Sequence, residues 1–142
     1  MLNIEELNKK IRDGTFTAYD LPDLFEIICL YLNSSDVAKN EVEGWNCKIQ
    51  YDLGGPADVW FKIQALKFSS GKGRIDTPDV TLILNEKHAS EMFTGQLDST
   101  SAYIAGDLKI EGSSALPNAQ KFATIIRIFT ENWETGGIIE NK

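Results

Sequence analysis

Chemistry on a protein needs reactive side chains brought together, and this chain is sparing with them. His88 is its only histidine, so a site built on two imidazoles is excluded and a catalytic dyad would have to use this one. It falls in Glu86-Lys87-His88, the polar first turn of an expected helix, where a solvated imidazole is a simpler reading than a general base. No G-x-S-x-G elbow occurs, and Ser113-Ser114 has no base beside it in the sequence. Asp98, Asp107 and Glu111 stand on an expected turn or on the outward face of an expected strand, where carboxylates cap turns and keep a surface wet. Gly71-Lys72-Gly73 lacks the spacing of a phosphate loop, and Asp76-Thr77-Pro78 leads into a strand rather than a helix. Cys29 and Cys47 are the only cysteines. They are too few for a disulfide framework and wrongly spaced for a metal knuckle, and each sits on or beside an apolar stripe, as buried thiols do. The residues argue against an enzyme and ask for no metal and no cofactor.

Composition narrows the partners. The chain has 142 residues, enough for one domain that buries roughly two-thirds of its unfolded surface. Its hydrophobic fraction of 42% is that of an ordinary globule rather than a disordered chain. The net charge of -7 repels nucleic acid and anionic membranes from the average surface. No apolar run approaches the roughly 18 residues of a membrane span. Met1 to Gly14 does not read as a secretory leader, and Glu140-Asn141-Lys142 is no peroxisomal address. A soluble cytoplasmic protein is the expectation.

The elements follow from periodicity. Ile4, Leu7 and Ile11 predict a short amphipathic helix over 3–12, with acids in its first turn, bases in its last and Gly14 beyond. Asp20 is placed to cap a second helix, Leu21 to Leu32, which is apolar nearly all round. From Trp45 the period becomes 2. Cys47, Ile49, Tyr51 and Leu53 alternate with polar residues, Gly54-Gly55-Pro56 turns the chain, and Val59, Phe61 and Ile63 alternate again, which predicts a hairpin. A weaker edge strand is expected over 67–75, and a fourth with Val80, Leu82 and Leu84 inward. Asn85 caps a helix from Glu86 to Thr94, and Gly95 ends it. A fifth strand is expected from Tyr103 to Glu111, with Ile104, Leu108 and Ile110 on one face. A long helix from Ala115 to Trp133 places Phe122, Ile125, Ile126, Phe129 and Trp133 on one side. The tail from Glu134 is expected to be loose. These elements make an α+β domain, a five-stranded sheet with one face covered by helices. The helices carry more large apolar side chains than a thin sheet face needs, which fits either a filled core or a lined cavity.

The run from Asp79 to Phe129 is the most informative. It contains Gly95-Gln96-Leu97-Asp98 and, a short step later, Gly106-Asp107-Leu108-Lys109-Ile110-Glu111-Gly112 leading into the last helix. This order resembles the sterol carrier protein 2 (SCP2) lipid-binding domain, from about Leu21 to Trp133 and most closely from Asp79 to Gly112. The resemblance implies an apolar tunnel between sheet and helices that holds fatty acid, fatty acyl-coenzyme A, sterol or a related lipid without catalysis. Carried over, the ligand-binding residues would be Met92, Phe93, Leu97, Ile104 and Leu108, with Phe122, Ile126 and Phe129 from the last helix. It also implies a division into residues 1–20 as an N-terminal helix and connection, 21–133 as the lipid-binding domain and 134–142 as a tail. The alternative is an interaction module, a homodimer or the partner of a lipid- or quinone-metabolising enzyme, which would use the second helix.

Overall fold

The alternation that begins at Cys47 forms the first strand, β1 (Cys47–Asp52), of a computed structural model that describes residues 4–131 and the backbone of 133–134 and 137–138. β1 pairs antiparallel with β2 (Val59–Gln64) in the register Cys47↔Ile63 to Tyr51↔Val59, the expected hairpin. Its turn is closed by a buried carboxylate. Asp58 Oδ1 accepts from the Leu53 and Gly55 amides at 2.7 and 3.3 Å, and Oδ2 meets Arg74 Nε at 3.1 Å. Arg74 also reaches Asp52 Oδ2 at 3.2 Å, so one guanidinium ties both ends of the turn together.

β3 (Lys67–Lys72), β4 (Val80–Ile83) and β5 (Lys109–Glu111) complete a sheet in the order β3-β2-β1-β4-β5, with β1 and β4 parallel and the other pairs antiparallel. β3 is an edge, as expected. Asn33 partly closes it, donating to the Phe68 carbonyl and accepting from the Phe68 amide, both at 2.9 Å. On the sheet's polar face Gln50 is fully buried, which the alternation alone does not predict. The segment after β3 covers it. Its amide donates to the Gly73 carbonyl at 2.9 Å and accepts from the Ile75 amide at 2.8 Å, so its burial carries no unpaired polar atom.

Helices cover the other face. α1 (Ile4–Asp13) docks through buried Leu7, and a 3-10 turn, Ala18–Asp20, leads into α2 (Leu21–Asn33). Asp20 does not cap α2. Its carboxylate accepts from the Thr17 amide at 3.0 Å and from Lys10 Nζ at 2.7 Å, because the preceding turn is nearer than the helix amides. A short helix, α3 (Asp36–Glu41), follows, capped by Ser35. α4 (Glu86–Phe93) is capped by Asn85 as expected, and Gly95 takes the left-handed conformation just beyond it.

Two expected elements differ. Residues Tyr103–Ala105 are not the start of a strand but the end of a helix, α5 (Ser99–Ala105). Asp98 accepts from the Ser101 amide and hydroxyl at 3.0 and 3.2 Å, and Gly106 ends the helix at φ +85°. The final helix, α6 (Ala115–Thr130), stops short of Trp133. Thr130 Oγ1 and the Glu131 amide both bond the Arg127 carbonyl, which closes the last turn. Trp133 instead begins β6 (Trp133–Glu134), paired with β7 (Gly137–Ile138) in the tail that was expected to be loose. The rest of that tail lies outside the described residues.

Gly112 joins β5 to α6 at φ +131°, and a Cβ there would overlap the Asp79 carbonyl oxygen. Asp79 cannot yield, since its amide bonds the Lys48 carbonyl and its carboxylate the Lys48 amide, both at 2.9 Å. Gly112→Ala is therefore expected to lower stability by about 2 kcal/mol or more. Urea unfolding checks this through a lower midpoint at unchanged slope.

Candidate functional site

The inner face of the sheet places three side chains in one row. Tyr51 on β1 is in register with Leu82 on β4, and Leu82 with Ile110 on β5. Opposite them α6 presents Ala119, Phe122, Ile126 and Phe129, at spacings of three and four residues that share one helical face. α4 closes one side with Met92 and Phe93, and Leu97 and Leu108 fill the ends of the connections around α5. The space enclosed is about 760 Å³, within the range of small-molecule sites.

Burial divides this cavity into floor and rim. Ile28, Tyr51, Leu82, Leu108, Phe122 and Phe129 are buried and form its floor and inner walls. Leu116, Gln120, Ala123, Arg127 and Thr130 on α6 are exposed, as are Ser99, Thr100 and Tyr103 on α5. The two helices thus frame an opening to solvent of mixed character, with polar side chains beside exposed Leu116 and Tyr103, while the interior is aromatic and aliphatic. Arg127 is the one cation among the described lining residues. The rim carboxylate, Asp98, is already engaged at the N-terminus of α5.

Seven of the eight residues expected to bind ligand lie around this space: Met92, Phe93, Leu97, Leu108, Phe122, Ile126 and Phe129. Ile104 does not. It is 79% exposed on α5, because a helix turns successive side chains by about 100° where a strand would have set it level with Leu108. Ile28, Tyr51, Leu82 and Ile110 also line it but were not among the residues expected to bind ligand. For the last three the signal existed, since each is an inward residue of an alternating strand; their register across three strands was not readable.

The reactive side chains stand apart from the cavity lining. Burial pushes the Cys29 and Cys47 thiols up to about 12, so both stay protonated and unreactive at neutral pH. His88 is half-buried rather than solvated as expected. Its Nε2 is 3.9 Å from Asp107 Oδ2, beyond hydrogen-bond length, and its Nδ1 has no partner. Among the described residues no group of three His, Cys, Asp or Glu side chains converges. No described helix is long and apolar enough to cross a membrane.

The model of the SCP-2 sterol transfer family matches residues 28–127. The chain belongs to this family. Its fold is similar to that of several solved structures. The sterol carrier protein domain 2 of Helicoverpa armigera is 20% identical with a TM-score of 0.59, over 82% of this chain and 93% of that one. The UbiJ-SCP2 ubiquinone synthesis protein is 14% identical with a TM-score of 0.58, over 74% and 90%. The inverting sec-alkylsulfatase Pisa1 from Pseudomonas sp. is 15% identical with a TM-score of 0.57; 80% of this chain matches, but only 16% of that enzyme. At these identities the fold is what is shared. No curated protein matches the chain significantly.

Ile125 and Ile126 separate cavity wall from core on one helix. Ile125 is fully buried and absent from the lining, whereas Ile126 is half-buried against the open space. In delipidated protein Ile125→Ala is expected to cost about 2–5 kcal/mol and Ile126→Ala only about 1–2 kcal/mol, since fewer packing contacts are lost beside a void. Denaturant unfolding of both variants, with lipid titration of the folded forms, checks this. Only Ile126→Ala should alter affinity or chain-length preference.

Proposed function

We propose that this SCP-2 family chain binds a long-chain lipid, such as a fatty acid, fatty acyl-coenzyme A or sterol, and releases it without chemical change. The observation that carries the reading is the cavity of about 760 Å³ between α6 and the inner sheet face, apolar inside and open to solvent at a rim that carries most of its polar side chains. Met92, Phe93, Leu97, Leu108, Phe122, Ile126 and Phe129 are the proposed contacts for the apolar chain.

Magnitudes fit a carrier. Burying about 14 methylenes contributes roughly 11 kcal/mol at about 0.8 kcal/mol each. Association and ordering of the ligand offset at least about 4 kcal/mol of this. The remainder, about 7 kcal/mol or less, corresponds to binding in the micromolar range or weaker. Such a ligand leaves readily.

A second reading is an accessory module that docks on an enzyme or on a second copy. Leu30 on α2 is 60% exposed, and Val37 on α3 is also exposed. The likeness of the fold to the UbiJ-SCP2 ubiquinone synthesis protein accords with this reading. Isolated exposed apolar side chains are ordinary on protein surfaces, however, and Ile27 on the same helix is buried within this chain. The cavity is the stronger feature.

A fluorescent fatty acid should bind purified protein saturably at micromolar concentration and be displaced by unlabelled hexadecanoic acid. Absence of a saturable signal up to about 100 micromolar, well beyond the affinity expected from burial, would count against the lipid reading if the protein is folded.

A further inference from the structure

The cavity floor holds one group that its apolar surroundings do not explain. Tyr51 is 3% exposed and lines the cavity with Leu82, Phe93 and Phe122. Its ring is held edge-on by Phe25 at 5.3 Å, Phe93 at 5.7 Å and Phe122 at 6.4 Å. Its hydroxyl makes no hydrogen bond with any described residue, and burial alone shifts its ionisation. Nor is the hydroxyl sealed among carbon atoms. Among the described residues His88 Nδ1 is the one buried side-chain nitrogen or oxygen that is both occluded and unpartnered. The unpartnered Tyr51 hydroxyl is therefore not fully occluded, and the open volume that Tyr51 lines is the cavity. A buried tyrosine hydroxyl ordinarily has a partner, and phenylalanine would fill the same space without that requirement.

We propose that Tyr51 sets the ligand's chemistry: its hydroxyl is the hydrogen-bond partner of a neutral oxygen, a hydroxyl or a carbonyl, on the part of the lipid that reaches the cavity floor. This rests on the lipid-binding reading above. Burial raises the phenol's pKa, so it remains protonated and can donate to a carbonyl or exchange a hydrogen bond with an alcohol. An ionised head at the same depth would be buried without a counter-charge, since Arg127, the one cation among the described lining residues, is exposed at the rim. Neutral oxygens go in; an anionic head stays at the opening.

The test compares three ligands of one chain length, tetradecanol, tetradecan-2-one and tetradecane, delivered from cyclodextrin to the wild-type protein and to Tyr51→Phe. The alcohol and the ketone should each bind the wild type about 5–10-fold tighter than the variant, the factor expected of one hydrogen bond. Tetradecane should bind both alike. A loss of the same factor for all three ligands would assign Tyr51 a packing role and overturn the proposal. So would unchanged alcohol and ketone affinities in the variant, the result expected if the hydroxyl serves only a bound water. Wild-type protein with isotope-labelled tyrosine gives an independent readout. The ketone should move one tyrosine ring resonance that tetradecane leaves in place, and equal shifts from both ligands would contradict the proposal. If none of the three binds the folded wild type although the fluorescent fatty acid does, this proposal falls and the lipid reading stands; if the fatty acid does not bind either, both fall.

Discussion

A cavity of this size persists only if its walls cannot collapse onto each other, and here a cluster of rings holds them apart. Phe25 on α2 lies at its centre, edge-on to Tyr51, Phe61 and Phe93 at 5.3, 5.8 and 5.1 Å. Phe122 on α6 meets Phe61 at 5.0 Å, so three helices (α2, α4 and α6) and two strands are braced by the same few side chains. Aromatic rings suit this work, having large area, few rotatable bonds and a preference for edge contacts. With shorter aliphatic residues in those places, α6 could settle onto the sheet and fill the space. The void is thus a consequence of how the neighbouring core is packed, and its wall residues are less constrained than the core beside them.

Much of this architecture was legible from residue types. Strict alternation at Cys47, Ile49 and Tyr51 and again at Val59, Phe61 and Ile63 specified β1, β2 and their register, because a shift of one residue would send the apolar set to solvent. Asn85 and Gly95 bracketed α4 by local hydrogen bonding and backbone freedom. The errors share a cause. Ser99–Ala105 has no strong apolar period, and Gly106 reads equally well as a strand interruption or a helix end. Only the cap made by Asp98 distinguishes the two, and with it went the placement of Ile104. Gln50 is similar: its burial depends on the Gly73–Ile75 segment, which is distant in sequence.

The candidate site was legible as a set of apolar residues but not as a space. Pattern identifies which side chains turn inward; it does not say whether they touch. The division between Ile125 in the core and Ile126 on the wall separates adjacent residues of identical type, so composition could not have drawn it. The polar features are likewise tertiary. Arg127 is at the rim because it is exposed on α6 beside the cavity, and Tyr51 is a lone hydroxyl on the floor because its strand neighbours are Leu82 and, beyond, Ile110. The lining thus combines an uncharged interior with a single cation, Arg127, at the opening.

The central claim is that the space beneath α6 takes up lipid. Native mass spectrometry of the protein mixed with hexadecanoic acid tests it most directly when wild type is compared with Ile126→Trp, which fills the cavity from its wall. The account predicts a complex of one lipid per chain for the wild type and little or none for the folded variant. Equal lipid occupancy in the two proteins would place the ligand elsewhere and contradict it.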